Sequence, residues 1–298
     1  MKVKQLKKSI DSKVIIEGIN FELNRGEIVG LVGRNGTGKT TLFRTLADHY
    51  QADEGSIVIN GKRLVEARQN YEEIFYSDTE MTFLSGLTPD KMVLFYKELY
   101  PRFDKEKFVG LVEKHQLPRN KPFRKYSKGM KGLLLIILAV SSGANYILLD
   151  EPFDGLDILI KKQAIQLVLN EVSLNNRGIL ISSHNLIELE QIVDRVLLMK
   201  DQTIVKAYHL EDMREEAVKL QLVFRGETIP EIVKETGEVL EVRGRVIVAL
   251  FANYNEAIEV ELKSLEPLVM EQLPVSLEDL FTANLADELM IDQPRALV

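Results

Sequence analysis

A glycine-rich segment at residues 33–40, GRNGTGKT, constrains this chain more than any other feature of its sequence. It matches the pattern G-x-x-x-x-G-K-[ST] and stands between an apolar, β-branched stretch and a segment with helical spacing. That context matters because glycines let the backbone curl until successive N–H groups face phosphate oxygens, while the following helix points its positive end at them. The segment therefore predicts a phosphate-binding loop between a strand and a helix.

Two side chains of this loop have predicted roles in binding a nucleoside triphosphate. We expect Lys39 to reach the β and γ phosphates and the hydroxyl of Thr40 to bind Mg²⁺. The other residues supply backbone N–H groups or short polar side chains. The predicted nucleotide-binding residues of this segment and the position after it are Gly33, Asn35, Gly36, Thr37, Gly38, Lys39, Thr40 and Thr41.

A second candidate site follows the apolar run at residues 146–149, YILL. Asp150 is predicted at the tip of a buried strand, where its carboxylate can hold the Mg²⁺ shell. Glu151 projects one residue further, where a general base could polarise an attacking water. Many strands end in acidic turns, so this assignment depends on the pairing with residues 33–40.

Strand-like and helix-like segments alternate through the first two thirds of the chain. Strands are predicted within 14–33, on either side of a turn at 24–26, and again at 146–149, 179–182 and 196–199. Between about 85 and 145, one helix is predicted from the N-cap Thr88 to Pro101, a second from the N-cap Asp104 to about 115, and a strongly apolar one from after 127 to 142. Another is predicted from Ile158 to about 175. This order predicts an α/β core with a helical block, about residues 85–145, inserted between its strands.

A polar connector at residues 207–217 separates this core from the C-terminal part of the chain. Beyond it, short strand-like and helical stretches alternate, and residues 276–279, SLED, resemble a capping box before a last helix. We therefore predict two domains, residues 1–210 and a small α+β domain at residues 211–298.

Composition limits the class of protein. The absence of cysteine excludes disulfides and thiolate metal sites, and the net charge of −7 argues against nucleic acid as a main partner. The longest apolar run, residues 133–140, is much shorter than the roughly 20 residues of a membrane-spanning helix. We expect a cytoplasmic protein that does not cross a membrane on its own.

Motifs across residues 20–200 together resemble the nucleotide-binding subunit of an ABC transporter. In that family a short serine–glycine signature opens a helix and contacts the γ-phosphate held by the opposite subunit. The matching stretch is residues 126–131, YSKGMK, in which Ser127 and Gly129 align with the two best-defined positions. Lys128 replaces the usual first glycine, and Lys131 stands near where a glutamine is common.

Two more segments carry the resemblance. Residues 153–157, FDGLD, are similar to the family's D-loop, which links the two sites of a dimer, although Asp157 is also placed to cap the helix that follows. Residues 179–184, ILISSH, resemble the strand that leads to the switch histidine. The resemblance implies that His184 contacts the γ-phosphate and positions the water beside Glu151.

Two family features are absent from the sequence. The loop that usually carries a glutamine toward Mg²⁺ corresponds to residues 76–80, YSDTE, where Thr79 or Glu80 is the candidate substitute. The aromatic residue that usually stacks on adenine corresponds to Ile10, which offers only apolar contact.

The resemblance implies an ATPase with the P-loop NTPase fold of an ABC cassette, with ATP and Mg²⁺ as ligands. Two ATP molecules would be sandwiched in a head-to-tail dimer of identical or related subunits. The helical block, with the loop at 76–86, would contact separate membrane permease subunits on the inner face of the membrane. The C-terminal domain resembles that of exporter-type ATPases, which favours export over import.

Two other functions compete with this one. A soluble cassette for DNA repair or translation would bind nucleic acid, but the chain lacks the long coiled coil or cysteines of the first class and the second P-loop of the other. A nucleotide-gated binding module that hydrolyses poorly would fit the missing glutamine and the altered signature.

Overall fold

The computed structural model describes residues 1–77, 82–212, 217–226 and 228–289. The chain forms two compact units. The first comprises Met1–Asn185 and Ile192–Ala207, and the second comprises Leu186–Gln191 and Tyr208–Val298. The segment Leu186–Gln191 therefore belongs to the second unit although the first unit surrounds it in the sequence.

A largely parallel sheet forms the centre of the first unit. Within the described residues it has the strand order β10-β9-β3-β8-β7-β6, and the pairings of β9 with β3, β3 with β8, β8 with β7 and β7 with β6 are parallel. Strands β3, β7 and β8 are buried along their whole length, as expected for parallel strands covered on both faces. The strands are β3 (Ile28–Val32), β6 (Ile74–Ser77), β7 (Tyr146–Asp150), β8 (Gly178–Ser182), β9 (Arg195–Lys200) and β10 (Thr203–His209).

The strand order places three predicted site segments at one edge of this sheet. The carboxyl ends of β3, β8 and β7 are adjacent, and they lead into residues 33–40, 182–184 and 150–151, respectively. In open α/β sheets, ligands bind beyond the carboxyl ends of the strands. The fold thus gathers residues that are more than 100 positions apart in the sequence.

A second, antiparallel sheet of the first unit has the order β2-β1-β4-β5. Of its four strands only β2 was predicted. In β1, lysines interrupt the alternation, and the pairing with β2 shifts register between Val3 and Leu6. These two side chains are nevertheless fully buried and join the hydrophobic core. The strands are β1 (Lys2–Ile10), β2 (Lys13–Glu22), β4 (Glu54–Ile59) and β5 (Lys62–Arg63).

The predicted helical block lies between β6 and β7 in the chain. Asp104 caps its second helix, accepting a hydrogen bond from the Lys107 N–H at 2.8 Å, as predicted. Thr88 occupies the N-cap position of the first helix, but its side chain makes no capping hydrogen bond. The predicted apolar helix is confirmed, and its residues 132–141 are all buried. The helices are α2 (Pro89–Leu99), α3 (Lys105–Lys114) and α4 (Lys128–Ser141), with short 3-10 turns at Thr82–Leu84 and Phe123–Lys125.

Two further helices of the first unit flank the site segments. Helix α1 (Lys39–Leu46) follows the glycine-rich loop, and α5 (Ile158–Asn175) follows the segment after Glu151. Asp157 caps α5 by accepting hydrogen bonds from the Leu159 and Ile160 N–H groups, both at 3.0 Å. Two 3-10 turns, Leu64–Glu66 and Arg68–Glu73, precede β6.

The second unit contains a βαββαβ fold with the topology of ferredoxin-like domains. Its sheet has the order β12-β13-β11-β14 with every pairing antiparallel, and its own hydrophobic cluster includes Leu222, Val233 and Phe251. The elements are β11 (Val218–Val223), α7 (Glu231–Thr236), β12 (Glu238–Arg243), β13 (Val246–Phe251), α8 (Glu256–Ser264) and β14 (Val269–Leu273), with α6 (Leu186–Glu190) and α9 (Leu277–Leu289) also in this unit.

The capping box predicted before the last helix is present. The Ser276 hydroxyl accepts from the Asp279 N–H at 3.2 Å, and an Asp279 carboxylate oxygen accepts from the Ser276 N–H at 2.8 Å. Each side chain therefore satisfies a backbone donor of the other residue.

No helix in the described part of the chain combines the length and apolarity needed to span a membrane.

Candidate active site

The glycine-rich loop adopts a backbone that faces an open cleft. Gly36 and Gly38 have φ angles of +84° and +104°, a region that favours glycine. A Cβ on Gly38 would lie 2.8 Å from the Ile15 carbonyl oxygen, so no larger residue fits there. Helix α1 begins at the next residue without a capping side chain. Its first N–H groups are thus suited to bind an anion.

Lys39 brings a buried cation to this loop. Its side chain is 7% exposed, and its ammonium donates hydrogen bonds to the carbonyl oxygens of Gly33 at 2.7 Å and Arg34 at 3.1 Å. Burial lowers the pKa of Lys39, and the nearby charges of Glu151 and Asp150 oppose that shift. The ammonium has only carbonyl dipoles as direct acceptors in these bonds, so a phosphate anion would solvate its charge better.

Asp150 and Glu151 are held by one hydroxyl group on the neighbouring strand. Asp150 pairs with Ser182 in the register of β7 and β8. The Ser182 hydroxyl donates to Asp150 Oδ1 and accepts from the Glu151 N–H at 2.9 Å. All three groups stay fixed because Asp150 and Ser182 are buried. From the sequence, Ser182 is predicted only as part of a strand, since its place opposite Asp150 depends on the strand order.

Glu151 and His184 form a hydrogen-bonded pair. The distance between Glu151 Oε2 and His184 Nδ1 is 2.8 Å, and the side chains are 27% and 59% exposed, respectively. Glu151 has a φ of +50°, which is uncommon for a residue with a side chain and persists only where the surrounding structure imposes it. The pairing brings together two residues that the sequence analysis proposed for one reaction.

A cleft of about 330 Å³ connects the loop with the two carboxylates. Ile15 is the apolar residue that lines it, whereas Ile10, proposed for the place of the adenine-stacking aromatic, lies 36% exposed at the end of β1. Ile15 was not predicted as a site residue, because its position depends on how β2 passes the loop. The lining residues are Ile15, Asn35, Gly36, Gly38, Lys39, Thr40, Thr41, Asp150 and Glu151.

The remaining predicted residues have other positions. Gly33 ends the strand side of the loop and accepts from Lys39, and the Thr37 hydroxyl donates to the Arg34 carbonyl oxygen at 2.9 Å. Ser127 caps α4 by accepting from the Met130 N–H at 3.2 Å. In the part of the chain that the structure describes, the lining of the cleft does not include Ser127, Gly129 or Asp157. Thr79 and Glu80, the candidates for the missing glutamine, lie outside the described residues.

Known proteins with similar sequences are ATP-binding subunits. A family model described as ABC transporter matches residues 16–154. The ABC transporter ATP-binding protein YtrB of Bacillus subtilis is 30% identical over 284 residues, which are 95% of this chain and 97% of that protein. The aliphatic sulfonates import ATP-binding protein SsuB of Corynebacterium glutamicum is 31% identical over 68% of this chain and 81% of its own length.

A solved structure agrees with these relatives. The ATP-binding subunit of an ABC transporter, 26% identical, superimposes with a TM-score of 0.65 over 72% of this chain and 91% of its own length. The sequence, the strand order and the cleft thus lead to one family. The chain belongs to the ATP-binding proteins of ABC transporters, and it is an ATPase with the P-loop NTPase fold.

Proposed function

We propose that this chain binds ATP together with Mg²⁺ and hydrolyses it in a closed dimer, as the motor of a separate membrane permease. The observation that carries the proposal is the Glu151–His184 hydrogen bond at a cleft that also contains Lys39 and Asp150. This arrangement places a potential general base beside a cation and a phosphate-binding backbone, which are the parts that phosphoryl transfer to water requires.

The donor groups in the cleft fit a metal–triphosphate complex. Lys39 and the N–H groups at the start of α1 would hold the phosphates. The Thr40 hydroxyl and the Asp150 carboxylate are hard oxygen ligands of the type that Mg²⁺ prefers, and they would hold the ion. When bound, Mg²⁺ neutralises charge on the phosphates. Ser182 keeps the Asp150 carboxylate oriented before any ligand arrives.

Hydrolysis is assigned to Glu151 and His184. A carboxylate at the mouth of the cleft can accept a proton from the attacking water if the water lies within hydrogen-bond reach. His184 holds one oxygen of that carboxylate, which limits the rotation of the Glu151 side chain. We propose that His184 thereby positions Glu151 and that it contacts the γ-phosphate.

The working unit is proposed to be a head-to-tail dimer. Ser127, Gly129 and Asp157 belong to segments that resemble nucleotide contacts, yet the cleft of their own chain does not include them within the described residues. Their position supports contact with the nucleotide of a second subunit. That subunit is either a second copy of this chain or a related ATPase, with no nucleic acid in the assembly.

The helical block offers a surface for the permease. Phe83 and Phe95 are 55% and 40% exposed with ring centroids 5.9 Å apart, and Leu94, which precedes Phe95 in α2, is 69% exposed. We define these three residues as the aromatic patch. Large apolar side chains clustered on a surface typically mark an interface with another protein. We propose that the permease covers this patch and so holds the chain at the inner face of the membrane, in the cytoplasm.

The proposed direction of transport is export. The C-terminal part of the chain, beyond the cassette, resembles that of exporter-type ATPases. This likeness is the observation that supports export.

Replacement of Glu151 by glutamine tests the proposal. The amide keeps the size of the side chain but accepts a proton poorly, so we expect Glu151→Gln to bind ATP with Mg²⁺, to lose turnover and to accumulate as a dimer. Phosphate release and the molar mass in solution measure the two effects. Glu235→Gln, at an exposed position of α7, is the matched control and should behave as wild type. Unchanged hydrolysis in Glu151→Gln would disprove the assignment of the base.

A further inference from the structure

Lys128 forms an ion pair that links the start of α4 to the segment after Glu151. Its ammonium lies 2.7 Å from Asp154 Oδ2, and the two side chains are 60% and 45% exposed. Asp154 is three residues beyond Glu151, and its N–H donates to the Glu151 carbonyl oxygen at 3.3 Å. Lys128, which replaces a glycine of the family signature, is thus connected through Asp154 to the backbone turn that begins at Glu151.

The stem of Lys128 makes a second contact with the same segment. Gly155 has a φ of +69°, and a Cβ at this position would lie 2.5 Å from Lys128 Cδ and 2.6 Å from Cε. The aliphatic part of Lys128 therefore lies directly over the Gly155 backbone. One turn further along α4, a Cβ on Gly132 would lie 2.9 Å from Leu156 Cδ2. Three successive residues, 154–156, thus contact the first turns of α4.

Electrostatics favour this pairing. A cation in the first turn of a helix faces the positive end of the helix dipole, and α4 has no acidic residue in its first turn. Asp154 supplies the missing negative charge from another segment. The hydrogen bond from Lys128 lowers the pKa of Asp154, and the positive charge of Lys128 adds to this effect, while partial burial opposes it. The pairing therefore favours the ionised form of Asp154 beside Lys128.

We infer that Lys128 is a positioning residue for hydrolysis, which acts through Asp154 on the backbone that presents Glu151. The φ of +50° at Glu151 has to be imposed by neighbouring structure, and the contacts of residues 154–156 with α4 supply part of that constraint. Without the pair, Glu151 loses its fixed place beside His184. This inference rests on the proposed role of Glu151 as the general base.

Steady-state ATP hydrolysis by the full-length chain tests the inference with Lys128→Met, Lys128→Arg, Asp154→Asn and the Lys128→Met/Asp154→Asn double variant. Methionine keeps the stem without the charge. We expect Lys128→Met and Asp154→Asn each to lower kcat by about fivefold, the size of effect that an exposed ion pair can have. The KM for ATP should stay within about twofold, because the inferred effect of both residues is on the position of Glu151 and not on the binding of ATP. Lys128→Arg should keep kcat, and the double variant should lose no more than the worse single variant.

Lys263→Met is the matched control. It removes an ion pair with Glu259 whose side chains are 62% and 41% exposed, close to the values for Lys128 and Asp154, but it lies in the second unit. We expect its kcat to equal that of wild type. Melting temperatures are measured for every variant. A role in stability alone would lower the melting temperature without the selective loss of kcat and its rescue by arginine.

Three results would overturn the inference. The first is an unchanged kcat in Lys128→Met. The second is a loss in Lys128→Met but not in Asp154→Asn, which would show that Lys128 acts directly on the nucleotide of a second subunit. The third is an additive loss in the double variant. Failure of the proposed function is distinguishable, because it would appear as retained hydrolysis in Glu151→Gln whatever the Lys128 variants do.

Discussion

Ser182 shows how one small side chain can organise a site made of two carboxylates. Its hydroxyl donates to Asp150 and accepts from the Glu151 N–H, so it fixes a side chain on one residue and the backbone of the next. Because Asp150 and Ser182 are buried, loss of the hydroxyl leaves polar groups without a substitute donor or acceptor. The orientation of both proposed functional carboxylates therefore depends on this residue.

We predict that Ser182→Ala lowers kcat for ATP hydrolysis by roughly tenfold, since a lost buried hydrogen bond is worth about 1–3 kcal/mol. The adjacent Ser183 provides the control. Its hydroxyl accepts from the Asn185 N–H at 2.9 Å. Ser183→Ala should therefore lower kcat much less than Ser182→Ala. Equal effects of the two substitutions in a phosphate-release assay would contradict the role given to Ser182.

The residues of the site differ in how far the sequence could predict them. Residues 33–40 form one continuous pattern, so their loop and the helix after it followed from local chemistry alone. The places of Ser182 and Ile15 depend on strands that meet only in the folded sheet. No local pattern joins Glu151 and His184, which are 33 positions apart, so their shared role could be predicted only from the family resemblance.

At the scale of secondary structure elements, two aspartates have the same structural role as N-caps, but only one of them has a proposed functional role as well. Asp104 and Asp157 both cap helices by accepting backbone N–H bonds. Only Asp157 belongs to the segment that resembles the D-loop. If capping were their only role, both residues would contribute equally to the stability of the fold, and neither would affect the rate of hydrolysis.

We predict that Asp104→Ala and Asp157→Ala each lower the free energy of unfolding by about 1 kcal/mol, as expected for a lost N-cap. Only Asp157→Ala should also lower kcat, because only Asp157 is proposed to contact a second subunit. Asp157→Asn retains an oxygen that can cap α5 but removes the charge, so it separates the capping role from the proposed contact with a second subunit. Full activity of a destabilised Asp157→Ala would leave capping as its one role. Denaturant unfolding and phosphate release provide the two measurements.

Elements with strong local signals were predicted well, and elements shaped by their neighbours were not. Helices α3, α4 and α5 have clear caps and apolar periodicity, and their predicted limits agree with the structure within about two residues. Strands β1, β4, β5, β6, β10 and β14 were not predicted. Strand β14 has no fully buried residue, and its extended form comes from pairing with β11. A sequence window cannot contain that information.

On the scale of the whole molecule, the chain combines a cassette with a second unit that has its own fold. The hydrophobic cluster around Leu222 and Phe251 gives the second unit a core of its own. The relative YtrB aligns with 95% of this chain, so the similarity extends well beyond the cassette. Transport itself requires contact with a membrane partner, for which the aromatic patch of the first unit is the proposed surface.

We predict that Leu94→Glu detaches the chain from membranes. A carboxylate within the aromatic patch would have to be buried without a partner when the permease covers it, which is costly. Flotation of the full-length chain with membranes from the native cells measures the association, and we expect the bound fraction to fall at least about fivefold.

Leu174→Glu is the control, because Leu174 is 77% exposed on α5 outside the patch. Hydrolysis by the isolated Leu94→Glu chain should equal that of wild type, since Leu94 does not line the cleft. If Leu94→Glu floats as well as Leu174→Glu, the permease contacts another face of the molecule.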